Sequence, residues 1–237
     1  IRQINYWTIG GFDGQKPVVQ ALEEAKAMGY EGVELCFGTA VFNPDTTAAA
    51  LAEYRATAKK LGIRIASVAD GNAWKCSMGS DNEKERKAAV AYNKAYLAAA
   101  GAVGAGVALV IPGTVAVPWD ASRPHVPAAT VWKQATKSVR SLIPVAQKHK
   151  VFIALENVWN KFLTGPFEMK AFIDQFKSKW VGCYFDVANC LTSGYPQDWI
   201  EVLGNRVKGV HFKNFTGDDC GGTLHGFGDD LLSLSLI

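Results

Sequence analysis

The chain has 237 residues, of which 49% are hydrophobic and 20% are charged, and its formal net charge is +3. This composition supports a sizeable hydrophobic core and excludes a largely disordered chain. The basic residues are scattered, without the basic stripe of a nucleic-acid-binding protein, and no apolar run reaches the roughly 18 residues that cross a membrane. We therefore expect neither a nucleic acid nor a membrane as a partner.

Short apolar runs alternate with longer helical patterns along the whole chain, and no linker or low-complexity segment divides them. The predicted strands, in chain order, are Ile4–Trp7, Gly32–Leu35, Ile63–Ala69, Gly106–Ile111, Val151–Leu155, Val181–Phe185 and Val207–Phe212. The helices predicted between them are Lys16–Met28, Thr47–Leu61, Asp81–Ala100, Ala128–Lys148, Phe167–Phe176 and Gln197–Leu203, with Asp81 as an N-cap. We predict one domain over residues 1–237.

Strands separated by helices predict a parallel sheet, because parallel strands need long crossover connections. The first loop, TIGGFDG, lacks the GxGxxG pattern that often opens a doubly wound sheet. Seven strands with helices between them favour a (β/α)₈ TIM barrel, which typically needs about 250 residues. Residues 216–237 are too few for a helix, a strand and a closing helix, so we expect that the last βα unit is missing or truncated.

Five cysteines are spread along the chain, an odd number without a CxxC pair. This spacing predicts reduced thiols in an intracellular protein rather than a zinc knuckle or a redox pair. A cytoplasmic location is therefore our prediction.

Three successive predicted strands lead to residues that commonly bind metal ions. Glu156 ends the fifth strand, Asp186 ends the sixth, and His211 lies near the end of the seventh. Chemistry in a TIM barrel sits at the carboxyl ends of the strands, and neighbouring strands are about 4.8 Å apart. Two carboxylates and an imidazole suit Mn²⁺, Co²⁺, Mg²⁺ or Zn²⁺. The alternatives are structural: Glu156 pairs near a helix start, Asp186 caps a helix, and His211 is a hydrogen-bonded core histidine.

Other polar or aromatic residues near the strand ends are candidates for contacts with a substrate. The period of two along the seventh strand puts Lys213 on the metal-facing side. Glu34 lies at the end of the second strand, next to its last residue Leu35, while Asn189 follows the sixth strand and Trp159 the fifth. Each of these residues also has a structural alternative. Lys213 and Glu34 would each form an ion pair within the protein, Asn189 would cap a turn, and Trp159 would only pack against its neighbours.

Four motifs in this order, GYEGVEL, ALENVWNKF, YFDVAN and GVHFKNF, resemble the sugar-phosphate isomerase/epimerase superfamily of xylose-isomerase-like TIM barrels, and most of all its ketose 3-epimerases. The resemblance covers nearly the whole chain. It implies a divalent ion, often Mn²⁺, bound by a glutamate, an aspartate, a histidine and a second glutamate. The first three correspond to Glu156, Asp186 and His211, and Asn160 with Lys161 resembles the polar pair that follows the metal-binding glutamate.

The chain departs from the family pattern at two places. Asn189 stands where many ketose 3-epimerases have a substrate-binding histidine, which leaves the substrate preference open. The second glutamate of the family lies on the eighth strand, and we expect no such strand here. Asp229 and Asp230, in a glycine-rich stretch, are poor candidates to replace it.

The resemblance implies proton removal and return at C3 of a ketose through a metal-stabilised enediolate, with Glu156 as one of two catalytic carboxylates. The implied substrate is a small sugar or sugar phosphate, and a homo-oligomer is left open. The predicted substrate contacts are Glu34, Trp159, Asn160, Asn189 and Lys213. Without the second glutamate, we expect this chain to bind metal more weakly and to lose most of its epimerisation.

Three other functions compete with this interpretation. A dehydratase or lyase acting on sugars or inososes uses the same metal and base but expels a leaving group. A non-catalytic sugar-binding subunit fits the missing acid. An abasic-site DNA endonuclease needs several histidine ligands, whereas this chain has four histidines in all and no basic groove, so we set it aside.

Overall fold

The computed structural model describes residues 1–11, 14–191 and 193–213. Seven strands form one parallel sheet, paired in the order of the sequence. They are β1 (Gln3–Asn5), β2 (Gly32–Phe37), β3 (Arg64–Asp70), β4 (Val107–Val110), β5 (Phe152–Glu156), β6 (Val181–Asp186) and β7 (Val207–His211). The helices are α1 (Tyr6–Gly10), α2 (Val18–Ala27), α3 (Ala48–Leu61), α4 (Glu83–Val103), α5 (Ala128–His149), α6 (Pro166–Asp174) and α7 (Pro196–Leu203).

The sheet curls around a filled interior. β7 contacts β4 and β5 as well as its hydrogen-bonded neighbour β6, and such contacts require a rolled sheet. β2 and β6 are buried along their whole length, as expected when one face meets helices and the other fills a barrel. The predicted TIM-barrel architecture is confirmed. None of the helices in the described ranges is long and apolar enough to cross a membrane.

β1 and β7 are the outer strands of the sheet within the described part of the chain. No residue of β7 is fully buried, and Val210 is 37% exposed. The predicted loss of an eighth unit concerns residues 214–237, which lie outside the described residues together with Asp229 and Asp230. It stays a prediction.

The predicted first strand, Ile4–Trp7, is wrong at its end. The strand stops at Asn5, and the next five residues form α1. The Asn5 side chain causes the change, because its Oδ1 accepts a hydrogen bond from the Trp7 N–H at 2.8 Å. An asparagine in this position caps a helix and competes with continuation of the strand.

Helix α4 spans Glu83–Val103 rather than the predicted Asp81–Ala100. Asn82, not Asp81, is its N-cap, since Asn82 Oδ1 accepts the backbone N–H groups of Lys84 and Glu85 at 2.9 and 3.2 Å. Gly104 caps its carboxyl end with a φ of 89°, in the left-handed region that favours glycine.

Candidate metal centre

The three predicted metal ligands meet at the carboxyl end of the sheet. Glu156, Asp186 and His211 are the last residues of β5, β6 and β7, and Asp186 stands opposite His211 in the strand pairing. Each offers one ligand atom, and these atoms lie within 4.8 Å of one another. His211 Nδ1 is 3.4 Å from Glu156 Oε1 and 3.7 Å from Asp186 Oδ2. The strand ends thus bring the predicted group together.

Reciprocal hydrogen bonds join the ends of β5 and β6. Asn157, which follows β5, donates from Nδ2 to the Asp186 carbonyl and accepts the Asp186 N–H at Oδ1, both at 2.8 Å. Asn189 donates from Nδ2 to the Asn157 carbonyl, also at 2.8 Å. All three residues are buried. These bonds hold the Asp186 backbone against β5, where Glu156 ends the strand.

The two carboxylate oxygens of Asp186 have different surroundings. Oδ1 accepts a hydrogen bond from the Asn189 N–H at 2.9 Å. Oδ2 is buried and accepts no hydrogen bond from the described residues, although the Lys213 ammonium forms an ion pair with it at 3.0 Å. A buried anionic oxygen is costly unless a cation compensates it, and Lys213 supplies one such charge here. Two carboxylates and one imidazole within reach of one another form the mixed set of oxygen and nitrogen donors that fits a divalent cation.

Lys213 and Trp159 lie together on one side of the centre. The ammonium of Lys213 is 5.0 Å from the centroid of the Trp159 ring, a cation–π contact that restricts the side chain. The Lys213 side chain is 32% exposed, so it reaches from solvent to Asp186. Their predicted contact with a substrate stays a prediction.

Glu34 lies on the other side of His211, inside the barrel. It is 1% exposed, and its Oε2 is 2.5 Å from His211 Nε2. Oε1 accepts the hydroxyls of Tyr184 and Ser67, both at 2.6 Å, and Oε2 accepts Asn5 Nδ2 at 2.6 Å. Hydrogen-bond donors of the protein thus surround the Glu34 carboxylate, which the sequence predicts as a substrate contact. This position favours an effect of Glu34 on His211 over direct contact with a substrate.

The charges of Glu34 and His211 support each other. Burial alone raises the pKa of Glu34, but the His211 charge and the surrounding hydrogen bonds lower it to about 2. Burial also opposes a charge on His211, yet the Glu34 carboxylate, with Asp186 and Glu156 close by, raises the pKa of His211 well above its usual value. Without a metal, the imidazolium is therefore the favoured form of His211.

The pKa values of Asp186 and Glu156 shift in opposite directions. Burial opposes ionisation of Asp186, but His211 and the Lys213 ammonium lower its pKa. For Glu156, burial together with the Asp186 charge outweighs His211 and Lys213 and raises the pKa. Carboxyl groups whose environments push their pKa values apart are suited to different tasks. Asp186 is suited to hold charge, and Glu156 to exchange a proton.

Asn160 connects two loops next to the centre. It is 1% exposed, and its Nδ2 donates to the Gly113 carbonyl at 2.7 Å while its Oδ1 accepts the Phe162 N–H at 3.0 Å. Its own carbonyl accepts the N–H groups of Val115 and Ala116. These bonds tie the loop after β4 to the loop after β5. They favour a structural role over the substrate contact that the sequence predicts.

Asn189 and Trp159 line a small cavity of about 90 Å³ beside the centre. The Oδ1 of Asn189 is buried and accepts no hydrogen bond from the described residues. A hydroxyl of a ligand is a suitable donor for it. The substrate contacts of both residues stay predictions.

Asp70 is absent from the predicted site, although it ends β3 as Glu156 ends β5. The predicted strand stops at Ala69, one residue short of the acid. Asp70 is 7% exposed, and its Oδ1 accepts the Tyr92 hydroxyl at 2.8 Å and the Asn72 N–H at 3.1 Å. Burial raises the pKa of Asp70 to about 6 against the effect of these hydrogen bonds.

Replacing Asp70 by asparagine is expected to stabilise the protein at neutral pH. A carboxyl group whose pKa is higher in the folded state contributes stability below its unfolded pKa of about 3.9, and this contribution is lost as the pH rises through the folded value of about 6. We expect the free energy of unfolding to rise by about 2 kcal/mol at about pH 7 and to change little at about pH 4. Urea titrations measure both, with the exposed Asp45→Asn as control. If Asp70→Asn changes the free energy of unfolding equally at both pH values, the pKa of Asp70 is not raised in the folded protein.

One protein-family model, described as the xylose isomerase-like TIM barrel, matches residues 22–232. This range contains strands β2 to β7 and all three residues of the metal centre. No curated protein matches the chain in sequence.

Solved structures resemble the chain at low sequence identity. D-psicose 3-epimerase from Clostridium cellulolyticum H10, solved with D-tagatose, is 17% identical, with a TM-score of 0.75 over 89% of this chain and 72% of that one. A xylose isomerase-like TIM barrel protein from Mycobacterium smegmatis, in complex with magnesium, is 17% identical, with a TM-score of 0.67 over 91% and 75%. The probable 3-DHS dehydratase AsbF from Bacillus anthracis is 16% identical, with a TM-score of 0.67 over 92% and 74%. At these identities the likeness establishes a shared fold.

Proposed function

The chain belongs to the xylose isomerase-like TIM barrel family, and we propose that it is a divalent-metal-dependent isomerase or epimerase of sugars, similar in chemistry to the ketose 3-epimerases. The meeting of Glu156, Asp186 and His211 at one end of the barrel carries the proposal. The likeness in fold to D-psicose 3-epimerase supports the class of reaction. Manganese is the proposed ion, with Co²⁺, Mg²⁺ and Zn²⁺ as alternatives that the same donor set accepts.

Glu156 is the proposed proton-transfer group. Its carboxylate lies among the groups that would hold the cation, and in the metal-free chain burial and the Asp186 charge raise its pKa above that of an ordinary glutamate. When bound, a divalent cation supplies Lewis acidity towards the oxygens of the substrate. Glu156 takes the proton from the carbon next to the carbonyl, or returns it there. Asp186 stays ionised and contributes charge without exchanging a proton.

Three residues beside the centre are the proposed substrate contacts. The Lys213 ammonium donates to a hydroxyl or, if the sugar is phosphorylated, to a phosphate oxygen. Asn189 Oδ1 accepts a hydroxyl in the small cavity, and the Trp159 ring packs against the sugar. Their places around the Asp186 carboxylate support this arrangement.

Metal binding and sugar turnover test the proposal separately. After removal of metals with EDTA, we expect calorimetry to show one Mn²⁺ bound per chain. We also expect Mn²⁺-dependent formation of a C3 epimer from D-fructose or D-tagatose, measured by liquid chromatography. A chain that binds no divalent cation contradicts the proposal. Binding of Mn²⁺ without conversion of either ketose supports the non-catalytic sugar-binding alternative instead.

A dehydratase is the second candidate, favoured by the likeness in fold to the probable 3-DHS dehydratase AsbF. Proton removal next to a carbonyl is common to both reactions, and they differ in whether a hydroxyl then leaves. Mass spectrometry distinguishes them, because epimerisation keeps the mass of the substrate and dehydration lowers it by one water. The cytoplasmic location and the homo-oligomer stay predictions.

A further inference from the structure

The Glu34 carboxylate uses all of its acceptor positions. A carboxylate offers about four lone-pair sites. Tyr184 and Ser67 donate to Oε1, while Asn5 and His211 contact Oε2, all at 2.5–2.6 Å. Because Glu34 is 1% exposed, water does not substitute for these neighbours.

The orientation of the Asn5 amide is fixed by an independent donor. The Trp7 N–H donates only, so the Asn5 atom 2.8 Å from it must be the oxygen Oδ1. The amide nitrogen Nδ2 therefore faces Glu34 Oε2, as the 2.6 Å contact has it. Oε2 thus accepts a hydrogen bond from the Asn5 amide nitrogen, and the same oxygen lies against His211 Nε2.

This arrangement determines which nitrogen of His211 keeps its proton when a cation displaces the other proton of the imidazolium. A carboxylate surrounded by donors accepts hydrogen bonds, so the Nε2 atom 2.5 Å from Oε2 must donate. The other ring nitrogen, Nδ1, faces Glu156 and Asp186 at 3.4 and 3.7 Å. A neutral imidazole with its proton on Nε2 has its lone pair on Nδ1, which is the form that binds a cation.

We propose that Glu34 is a positioning residue that holds the proton of His211 on Nε2 and so directs Nδ1 towards the cation. The proposal rests on the proposed function, since it assumes a divalent cation between His211, Asp186 and Glu156. Carboxylates that accept the second N–H of a metal-binding histidine fix its tautomer and orientation, and their loss typically weakens metal binding about 10–100-fold. In this role Glu34 acts through His211 and does not contact a substrate.

Two matched substitutions on the same carboxylate test the proposal. Glu34→Gln keeps the size of the side chain but offers an amide to the ring, and we expect it to weaken Zn²⁺ binding about 30-fold in calorimetry. Ser67→Ala removes a donor to Oε1 and leaves Oε2 with His211, so we expect a change within about threefold. Equal affinities of Glu34→Gln and the wild type overturn the proposal.

Nitrogen NMR of the wild-type protein tests the tautomer without any substitution. The chain has four histidines, so His211 is assigned by the loss of its signals in His211→Asn. With diamagnetic Zn²⁺ bound, we expect a proton on Nε2 and coordination at Nδ1, and we expect Glu34→Gln to lose this pattern where it folds. If Nε2 coordinates Zn²⁺ in the wild type, the inferred role of Glu34 is wrong, while the proposed metal centre stands. A wild type that binds no Zn²⁺ overturns the metal centre on which the proposed function depends as well.

Discussion

Replacing Asp186 by asparagine is expected to weaken Mn²⁺ binding at least about 100-fold, equivalent to about 2.7 kcal/mol of binding free energy, and to abolish measurable sugar turnover. The change removes a negative charge from the centre. It also puts an N–H donor where Oδ2 now lies, 3.0 Å from Lys213 Nζ and 3.7 Å from His211 Nδ1. An amide nitrogen has no lone pair for a cation, so calorimetry with Mn²⁺ measures the loss directly.

The fold should survive this substitution. The hydrogen bond from the Asn189 N–H goes to Oδ1, which asparagine retains, and the bonds with Asn157 use only the backbone of Asp186. The circular dichroism spectrum of Asp186→Asn is therefore expected to match that of the wild type. The exposed Asp81→Asn, which removes a charge of the same kind near the start of α4, is the control. If Asp186→Asn binds Mn²⁺ within about threefold of the wild type, Asp186 is not a ligand.

The parallel sheet was predictable because several of its strands, β2 and β6 above all, are buried along their whole length. The sequence of such a strand is an apolar run between two helical patterns, as in Val181–Phe185. β1 is the exception. It has three residues, too few for a pattern, and the Asn5 side chain starts a helix where the sequence continues with further apolar residues.

The meeting of Glu156, Asp186 and His211 was predictable because these residues are distinguished by their positions at strand ends as well as by their residue types. Glu156 and Asp186 each interrupt an apolar run at the point where a barrel strand ends. Asp70 is also an acid at the end of a barrel strand, but the predicted third strand stops one residue earlier, at Ala69, so the sequence does not single it out.

The role of Glu34 was not predictable from the sequence. Tyr184 and His211, which surround its carboxylate, lie 150 and 177 residues further along the chain. The register of β2 with its neighbours decides whether an acid faces a substrate or the interior, and a strand that is buried along its whole length has no alternation of polar and apolar residues to indicate that register. The loop contacts of Asn160 have the same origin, because Gly113 lies 47 residues away.

Replacing Glu156 by glutamine is expected to slow proton exchange at C3 of the sugar at least about 1000-fold, while weakening Mn²⁺ binding less than Asp186→Asn does. Glutamine keeps a carbonyl oxygen as a ligand but removes the group that accepts the proton. Loss of turnover with retained metal binding distinguishes a proton-transfer group from a ligand.

The sharpest measurement is deuterium uptake from heavy water into a ketose, followed by NMR. Exchange at C3 needs one carboxylate, whereas inversion of C3 needs groups on both faces of the sugar. Each epimer of a pair presents its C3 proton to one face, so we expect Glu156 to exchange it in only one of D-fructose and its C3 epimer. The exposed Glu201→Gln on α7 is the control and should exchange at the wild-type rate. Wild-type exchange in Glu156→Gln would assign the proton transfer to another group and leave Glu156 as a ligand only.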